Sequence, residues 1–215
     1  LGSISVGHLY NVRHSALYRN QRVVLTKTQP TKNTKIGVRK APAPEGRPGF
    51  IRIDSVHQGD FDGTKGLYHI NAVDCVTQWQ VVASVQAISE AHLLSVIEEM
   101  LAQFPFEILG FHADNGSEYV NHKVARLLEK LRIEFTRSRP RRSNDNGLAE
   151  TKNGAVVRKI FGYAHIPQRH AARFNTFCVE YLNPFLNFHR PCLFATDEPD
   201  PKKPGRTKRV YRPKD

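Results

Sequence analysis

The chain has 215 residues, 40% of them hydrophobic, enough to bury a core in one medium domain with extensions, which excludes a disordered polymer. Lys and Arg (32) exceed Asp and Glu (20) by 12, and a pI near 9.8 points to a polyanionic partner. No window approaches the roughly 18 apolar residues of a membrane span, the first residues lack a signal-peptide layout, and Cys75, Cys178 and Cys192 are too scattered for a disulfide framework or a CxxC metal site. A reducing compartment and no membrane partner fit this composition.

The excess charge lies at the two ends. Residues 1–48 hold nine Lys or Arg against one acid, Glu45; residues 49–196 hold sixteen against fifteen, and residues 197–215 seven against four. Gln29 to Gly49 and Pro199 to Pro213 are rich in Pro, Gly, Thr and Lys and can bury little surface. They read as arms that contact nucleic acid, with solvated tails as the plain alternative. In residues 1–22, Val6, Leu9, Tyr10 and Arg13 fall at i, i+3, i+4 and i+7, predicting a short helix that ends near Arg19 and Arg22. It reads as the last helix of a helix-turn-helix remnant, and Leu1 as the start of a fragment. Residues 23–48 then form a basic, Pro-rich linker, residues 49–196 the main domain, and residues 197–215 a basic flexible tail.

The main domain opens with three runs of β-branched and aromatic residues, Phe50 to His57, Leu67 to Cys75 and Trp79 to Gln86, predicting an antiparallel meander. Ser89 caps a helix carrying Leu93, Ile97, Met100, Leu101 and Phe104 on one face, stopped by Pro105. Glu107 to Ala113 is a fourth strand. Asn121 caps a helix striped by Val124, Leu127, Leu128 and Leu131, Ile133 to Thr136 is a short fifth strand, and the remainder is helical. The order βββαβαβα is that of the ribonuclease H-like fold, an α/β architecture with a five-stranded mixed sheet and helices on both faces.

Three acids fall where that order brings elements together. Asp54 interrupts an apolar strand on the face opposite Ile51 and Ile53. Asp114 ends the fourth strand before the Asn115-Gly116 turn, and Glu150 lies in the first turns of a helix that follows the cap-type run Ser143 to Gly147. Each alone has an ordinary explanation as a turn, first-turn or exposed strand residue. Together they would repel and need an offsetting charge. Hard divalent ions supply it, and two of them about 3.5–4 Å apart can serve an in-line phosphoryl displacement.

Ile51-Arg52-Ile53-Asp54, His112-Ala113-Asp114-Asn115-Gly116-Ser117-Glu118-Tyr119 and Asn144-Asp145-Asn146-Gly147-Leu148-Ala149-Glu150 resemble the three signatures of the DDE-type integrase catalytic core of retroviral integrases and bacterial insertion-sequence transposases. The 35 residues between Asp114 and Glu150 are the most specific element, and Asn187-Phe188-His189-Arg190-Pro191 is similar to a motif after the last core helix of bacterial members. The resemblance spans residues 49 to about 192. It implies a Mg²⁺-dependent DNA transposase, with Mn²⁺ as a substitute and two ions held by Asp54, Asp114 and Glu150. It also implies duplex DNA partners (element ends and target), a homo-oligomer assembled on DNA, and a cytoplasmic, nucleoid-associated setting. The basic tail lacks the Thr-Pro segment expected after Arg190-Pro191, which reads as truncation.

Around this set, Arg137, Arg139, Arg141 and Arg142 crowd the loop before the catalytic helix, and Lys152, Arg158 and Lys159 follow on it; all seven are expected to meet DNA phosphates. Lys152 and Lys159 are expected on one face. His112 reads as a packed strand histidine, with water positioning as the alternative; His57 is a similar case. Asp74 reads as a turn residue, and Asp60, Asp62 and Gly63 as a plain turn. Gly154 admits close approach of DNA or tight helix packing, at about 1 kcal/mol relative to Ala. A metal-dependent hydrolytic nuclease and an inert DNA-binding derivative are the rival readings.

Overall fold

The computed structural model describes residues 5–15, 36–116, 118–201 and 205–213. They fall into two compact units, residues 1–34 and 35–215. In the first, helix α1 (Val6–His14) starts at Ser5, whose hydroxyl accepts from the His8 N–H at 3.2 Å. It ends earlier than its periodicity predicts. Ser15 is extended, and its backbone N–H and hydroxyl both bond the Val12 carbonyl, so the helix is closed before Arg19. The expectation for Arg19, Arg22 and the linker to residue 35 lies outside the described residues.

The second unit is built on a six-stranded sheet: β1 (Val38–Arg39), β2 (Phe50–His57), β5 (Tyr68–Asp74), β6 (Gln80–Val85), β7 (Gly110–Ala113) and β8 (Glu134–Arg137), in the order β1-β8-β7-β2-β5-β6. The meander β2–β5–β6 is antiparallel, whereas β7, β8 and β1 add in parallel on the other side of β2. A minor hairpin, β3 (Asp60–Phe61) and β4 (Thr64–Lys65), turns through Asp62 and Gly63, both at positive φ, as the plain-turn reading expects.

Alternation on β2 sends Ile51 and Ile53 to one face, where they pack with Ile70, Ala72 and Phe111 under helices α2 (Glu90–Leu101) and α3 (His122–Lys130). The opposite face carries Val56 and Val82, covered by Val156, Val157, Cys178, Leu182 and Leu186 from the C-terminal helices. Each such fully buried aliphatic contributes about 1.5–3 kcal/mol, so both layers are held by apolar burial. Those C-terminal helices are α4 (Gly147–Lys152), a π-helical turn (Asn153–Val157), α5 (Arg158–Phe161) and α6 (Ala171–Phe177), continued by π-helical segments Cys178–Leu182 and Phe185–His189. The fold is the expected α/β, ribonuclease H-like architecture.

The last of these helices also covers the outer edge of β6. Asn175, Asn183 and Asn187 accept from the backbone N–H groups of Ser84, Val82 and Gln80 at 3.2, 2.9 and 2.8 Å. Asn183 and Asn187 also donate to the carbonyls of Val82 and Gln80 at 3.1 and 2.9 Å.

Four expectations need correcting. β1 is a sixth strand: the linker does not stay free after residue 35, because Val38 and Arg39 pair with Thr136 and Arg137 and Ile36 is buried. α2 ends at Leu101, with Ala102 as its C-cap, four residues short of Pro105. Leu131, at the end of α3, is 45% exposed rather than part of the stripe. The tail is a β-hairpin, β9 (Leu193–Pro199) against β10 (Thr207–Pro213), in which Lys208 faces Glu198 and Arg209 faces Asp197. Arg212 also pairs with Glu198 at 2.9 Å across that hairpin, an opposite-charge contact that supports strand pairing in a Lys- and Pro-rich stretch.

Among the described residues, no helix is long and apolar enough to cross a membrane.

Candidate active site

Asp54 stands on β2 and faces the layer opposite Ile51 and Ile53. One carboxylate oxygen accepts from the Ser55 N–H at 2.8 Å and the other from the Asn153 side-chain amide at 2.8 Å. Burial raises its proton affinity above the usual carboxylate range, and the negative charges of Glu150 and Asp114 add to the rise against the lowering effect of those two bonds. Asp114 directly follows β7, whose Ala113 lies beside Ile53 in the parallel register, so Asp114 leaves the end of β7 next to the position of Asp54 within β2. That end of a parallel pair is where open α/β sheets place ligands. Asp114 is exposed, and Asn115 next to it donates to the Ser138 carbonyl at 3.0 Å.

Glu150 is exposed in the first turn of α4. The cap-type run before it is used differently from expectation: Asn146 makes no side-chain cap but donates to the Ile53 carbonyl at 3.0 Å, tying the helix start to the strand beside Asp54. Asp54 thus lies within electrostatic reach of both Asp114 and Glu150. Among the described residues, no three His, Cys, Asp or Glu side chains are gathered closely enough to hold a metal ion by themselves. An oxygen-only, open set that raises its own proton affinity fits a hard divalent cation with room for further oxygen ligands.

The expected phosphate contacts divide sharply. Arg137 is the last residue of β8 and only 7% exposed, with burial and Arg39 lowering its proton affinity. Arg139 is clasped by Asp145: its guanidinium donates to both carboxylate oxygens at 2.9 and 2.7 Å, and its backbone N–H donates at 3.0 Å. Arg158 donates to the His57 carbonyl at 2.8 Å and lies 4.9 Å over the Tyr163 ring. Lys152 is 7% exposed and donates to the Cys192 thiol at 3.4 Å. Arg137 and Lys152 are buried, correcting the expectation that they meet phosphates, whereas Arg158 is half-buried and Arg139 stays exposed while paired with Asp145. The π-helical turn explains Lys152: a wider turn between residues 152 and 159 breaks the seven-residue spacing, leaving Lys159 exposed and Lys152 buried. Arg141, Arg142 and Lys159 are exposed.

His112 is a packed strand histidine, bonded to Thr136 at 2.9 Å and Ser138 at 3.3 Å, and burial, with Arg52, pushes it down to about 4. His57 stacks on Tyr68 and pairs with Asp60 at 3.2 Å. Asp74 takes the turn role, accepting from Gly49, Val76 and Thr77. A Cβ on Gly154 would meet nothing within 4 Å, so tight packing does not explain this glycine. Sequence reasoning missed Asn153, Asn71 and Asn146. Asn153 follows Glu150 by three residues, one turn on, and Asn71 pairs with Asp54 in the β2–β5 register, so a register count across the meander could have found the latter.

The strand order with helices on both faces defines a ribonuclease H-like core. Residues 45–143 match the model of the integrase core domain, a segment that includes Asp54 and Asp114 and stops short of Glu150. The chain is 30% identical over 120 residues to the uncharacterized protein y4rM of Sinorhizobium fredii, a match covering 55% of this chain and 34% of that protein, so it spans about a third of that relative's length. A chain of the simian T-cell lymphotropic virus intasome, solved with PP2A regulatory subunit B56 gamma, aligns over 99% of this chain and 81% of its own, with a TM-score of 0.50 and 18% identity. The HTLV-2 integrase catalytic core domain in complex with magnesium aligns over 68% of this chain and 90% of its own, with a TM-score of 0.47 and 13% identity.

Proposed function

We propose that this chain is the phosphoryl-transfer core of a DNA transposase or integrase, and that Asp54, Asp114 and Glu150 are its reacting-centre carboxylates. The observation that carries the reading is that Asp54 lies next in strand register to Ala113-Asp114 and is tied through Asn146 and Asn153 to the helix of Glu150, in a chain whose residues 45–143 match the integrase core domain. The three residues would hold two divalent cations, Mg²⁺ or Mn²⁺, which when bound offset the carboxylate charge and polarise the phosphoryl oxygens of the scissile bond. Asp54 is fixed through both oxygens, whereas Asp114 and Glu150 stay open to solvent and to substrate. Gly154, one turn beyond Glu150, leaves open space for a DNA backbone. Arg141, Arg142 and Lys159 are exposed cations of the predicted set, as is Arg139 although it pairs with Asp145, and the first three serve as phosphate contacts that position the duplex without reading its sequence.

In the first step a water oxygen bonds to phosphorus as the bond to the bridging 3′-oxygen breaks, leaving a 3′-hydroxyl and a 5′-phosphate. In the second that 3′-hydroxyl bonds to a target phosphorus, releases the target's 3′-oxygen and loses its proton to solvent. Both are direct displacements without a covalent enzyme intermediate. Residues 1–22 and the arm that follows act as DNA contacts, and holding element ends and target at once calls for more than one copy on DNA.

The test supplies a labelled duplex ending in a 3′-hydroxyl, a separate target duplex and Mn²⁺. Joined products are expected, and they vanish with a 3′-deoxy donor end or in Glu150→Gln, Asp54→Asn and Asp114→Asn. Cutting of many DNAs without any joined product favours the hydrolytic nuclease. Unchanged activity in the three variants removes them from the site.

A further inference from the structure

Asn71 lies in the middle of the apolar run Ile70-Asn71-Ala72-Val73 on β5 and is fully buried. A buried amide without partners costs several kcal/mol, so its hydrogen bonds define what it is for. Both of its N–H bonds go to the segment carrying Glu150: one to the Ala149 carbonyl at 3.2 Å, the other to the Asn153 side-chain oxygen at 2.8 Å. Its own side-chain oxygen accepts from the Gln80 amide at 2.8 Å. Asn153 in turn spends its N–H on Asp54 at 2.8 Å. Gln80, Asn71 and Asn153 therefore form a chain of amides, each donating to the next and the last to Asp54, with the second Asn71 N–H spent on Ala149.

The direction of that chain matters. An Asn side chain can rotate and exchange its oxygen for its NH₂. Were Asn153 to do so, its oxygen would face the Asp54 carboxylate and its NH₂ would face the NH₂ of Asn71, two repulsive contacts in place of two bonds. Asn71 cannot reverse without losing the Gln80 bond, and the Gln80 backbone is held at both N–H and C=O by Asn187. Asn71 is also the cross-strand partner of Asp54, so one residue is joined to Asp54 by strand register and to the residues either side of Glu150 by side-chain bonds.

We infer that Asn71 is a positioning residue of the cation site, fixing the Asn153 amide so that it donates to Asp54 and setting the placement of the Glu150 helix against β2. The inference rests on the reading of Asp54, Asp114 and Glu150 as the cation-holding set. It assigns a part to Asn187 as well, the first residue of the motif noted after the last helix, which anchors the far end of the chain at Gln80.

The experiment is titration calorimetry of Mg²⁺ and Mn²⁺ into the whole chain, for wild type, Asn71→Leu, Asn153→Ala and the double variant, with unfolding of the metal-free proteins measured alongside. Loss of an outer partner of a metal ligand weakens binding by about 10–100-fold. About tenfold weaker binding is expected in each single variant. The double variant should be no weaker than the worse single one, because the two residues act through one bond. Strand cleavage should fall at limiting Mn²⁺ and recover at saturating Mn²⁺, which a general loss of structure would not allow. Should Asn71→Leu fail to unfold cooperatively, Asn71→Ala takes its place in the same cycle. Binding within about twofold of wild type in the Asn71 variant, or a double variant near the product of the two single losses, overturns the inference. Asp54→Asn separates the two levels: if it binds cations as wild type does, the reading of the site itself falls; if it loses them while the Asn71 variant keeps them, only this inference falls.

Discussion

Asp74→Ala is expected to be among the most destabilising single changes outside the apolar core, while leaving cation binding intact. The carboxylate is fully buried at the end of β5 and accepts four hydrogen bonds: from the Gly49 N–H at 2.8 Å, the Val76 and Thr77 N–H groups at 3.0 and 2.7 Å, and the Thr77 hydroxyl at 2.8 Å. It therefore closes the β5–β6 turn and holds the entry of β2. Gly49 sits there at φ +106°, where a Cβ would run into the Glu107 carbonyl, so that entry has no freedom to relax. Hydrogen bonds to a charged acceptor contribute about 1.5–3 kcal/mol each, and a donor left buried without a partner costs about 1–3 kcal/mol. The Val76 and Thr77 groups lie near the surface and regain water, whereas the Gly49 N–H is buried and does not. The net expectation is a loss of about 3–5 kcal/mol, equivalent to a fall in Tm of roughly 6–20 °C for a chain of this size. Asn at this position keeps one side of the clasp and should lose about half as much. Urea unfolding followed by circular dichroism measures both, with Mg²⁺ calorimetry on the same samples. A loss below about 1 kcal/mol refutes the clasp, and intact stability with lost Mg²⁺ affinity would move Asp74 into the cation site.

Arg139 holds the Asp145 carboxyl well below its usual range, so this contribution is fully present above the unfolded carboxylate pKa of about 3.9 and fades as pH falls through the lower folded value. The stability gap between wild type and Asp145→Asn should stay constant from about pH 5 to 8 and shrink below about pH 4, and a flat gap down to pH 2 would contradict it. Gly154→Ala should leave the free protein as stable or up to about 1 kcal/mol more stable, because the added methyl meets open space, yet weaken DNA binding; unchanged affinity in gel shift would remove DNA approach as the reason for the glycine. Neutralising Arg141, Arg142 or Lys159 should each lower the log–log salt slope of DNA binding by about 0.9, while Lys152→Met leaves the slope alone and lowers the unfolding midpoint.

Both core-facing helices were legible through a period of 3.6, as in Val124, Leu127 and Leu128 on α3, and β2 through the alternation of Ile51 and Ile53. By contrast, β5, β6 and β7 are buried almost continuously and were legible as runs of β-branched and apolar residues between turns. The proposal of the three carboxylates rests on chain order and on the resemblance. Some of the surrounding cations were misread for one physical reason: density of charge says nothing about direction. Arg139 is exposed but held by an acid six residues away, Arg158 is drawn to a carbonyl a hundred residues away, and Lys152 is buried by a π-helical turn that no local propensity announces. β1 escaped notice because two residues carry no period, and the Gln80-Asn71-Asn153 chain because it joins three separate elements whose approach only the folded sheet creates.

The asparagines along the last helix have a consequence for how this core can meet other molecules. An uncovered edge strand offers its backbone to any other strand and invites joining of sheets. At β6 those groups are already taken at Gln80, Val82 and Ser84 by side chains standing in for a neighbouring strand, and at the far side β1 ends the main sheet after only two residues. Growth of the main sheet from one molecule into the next is thereby closed at both margins. Association through this sheet must then use its helical faces and loops, so a change such as Asn183→Ala would do more than loosen one helix: it would reopen a route to strand-by-strand aggregation that the intact molecule has shut.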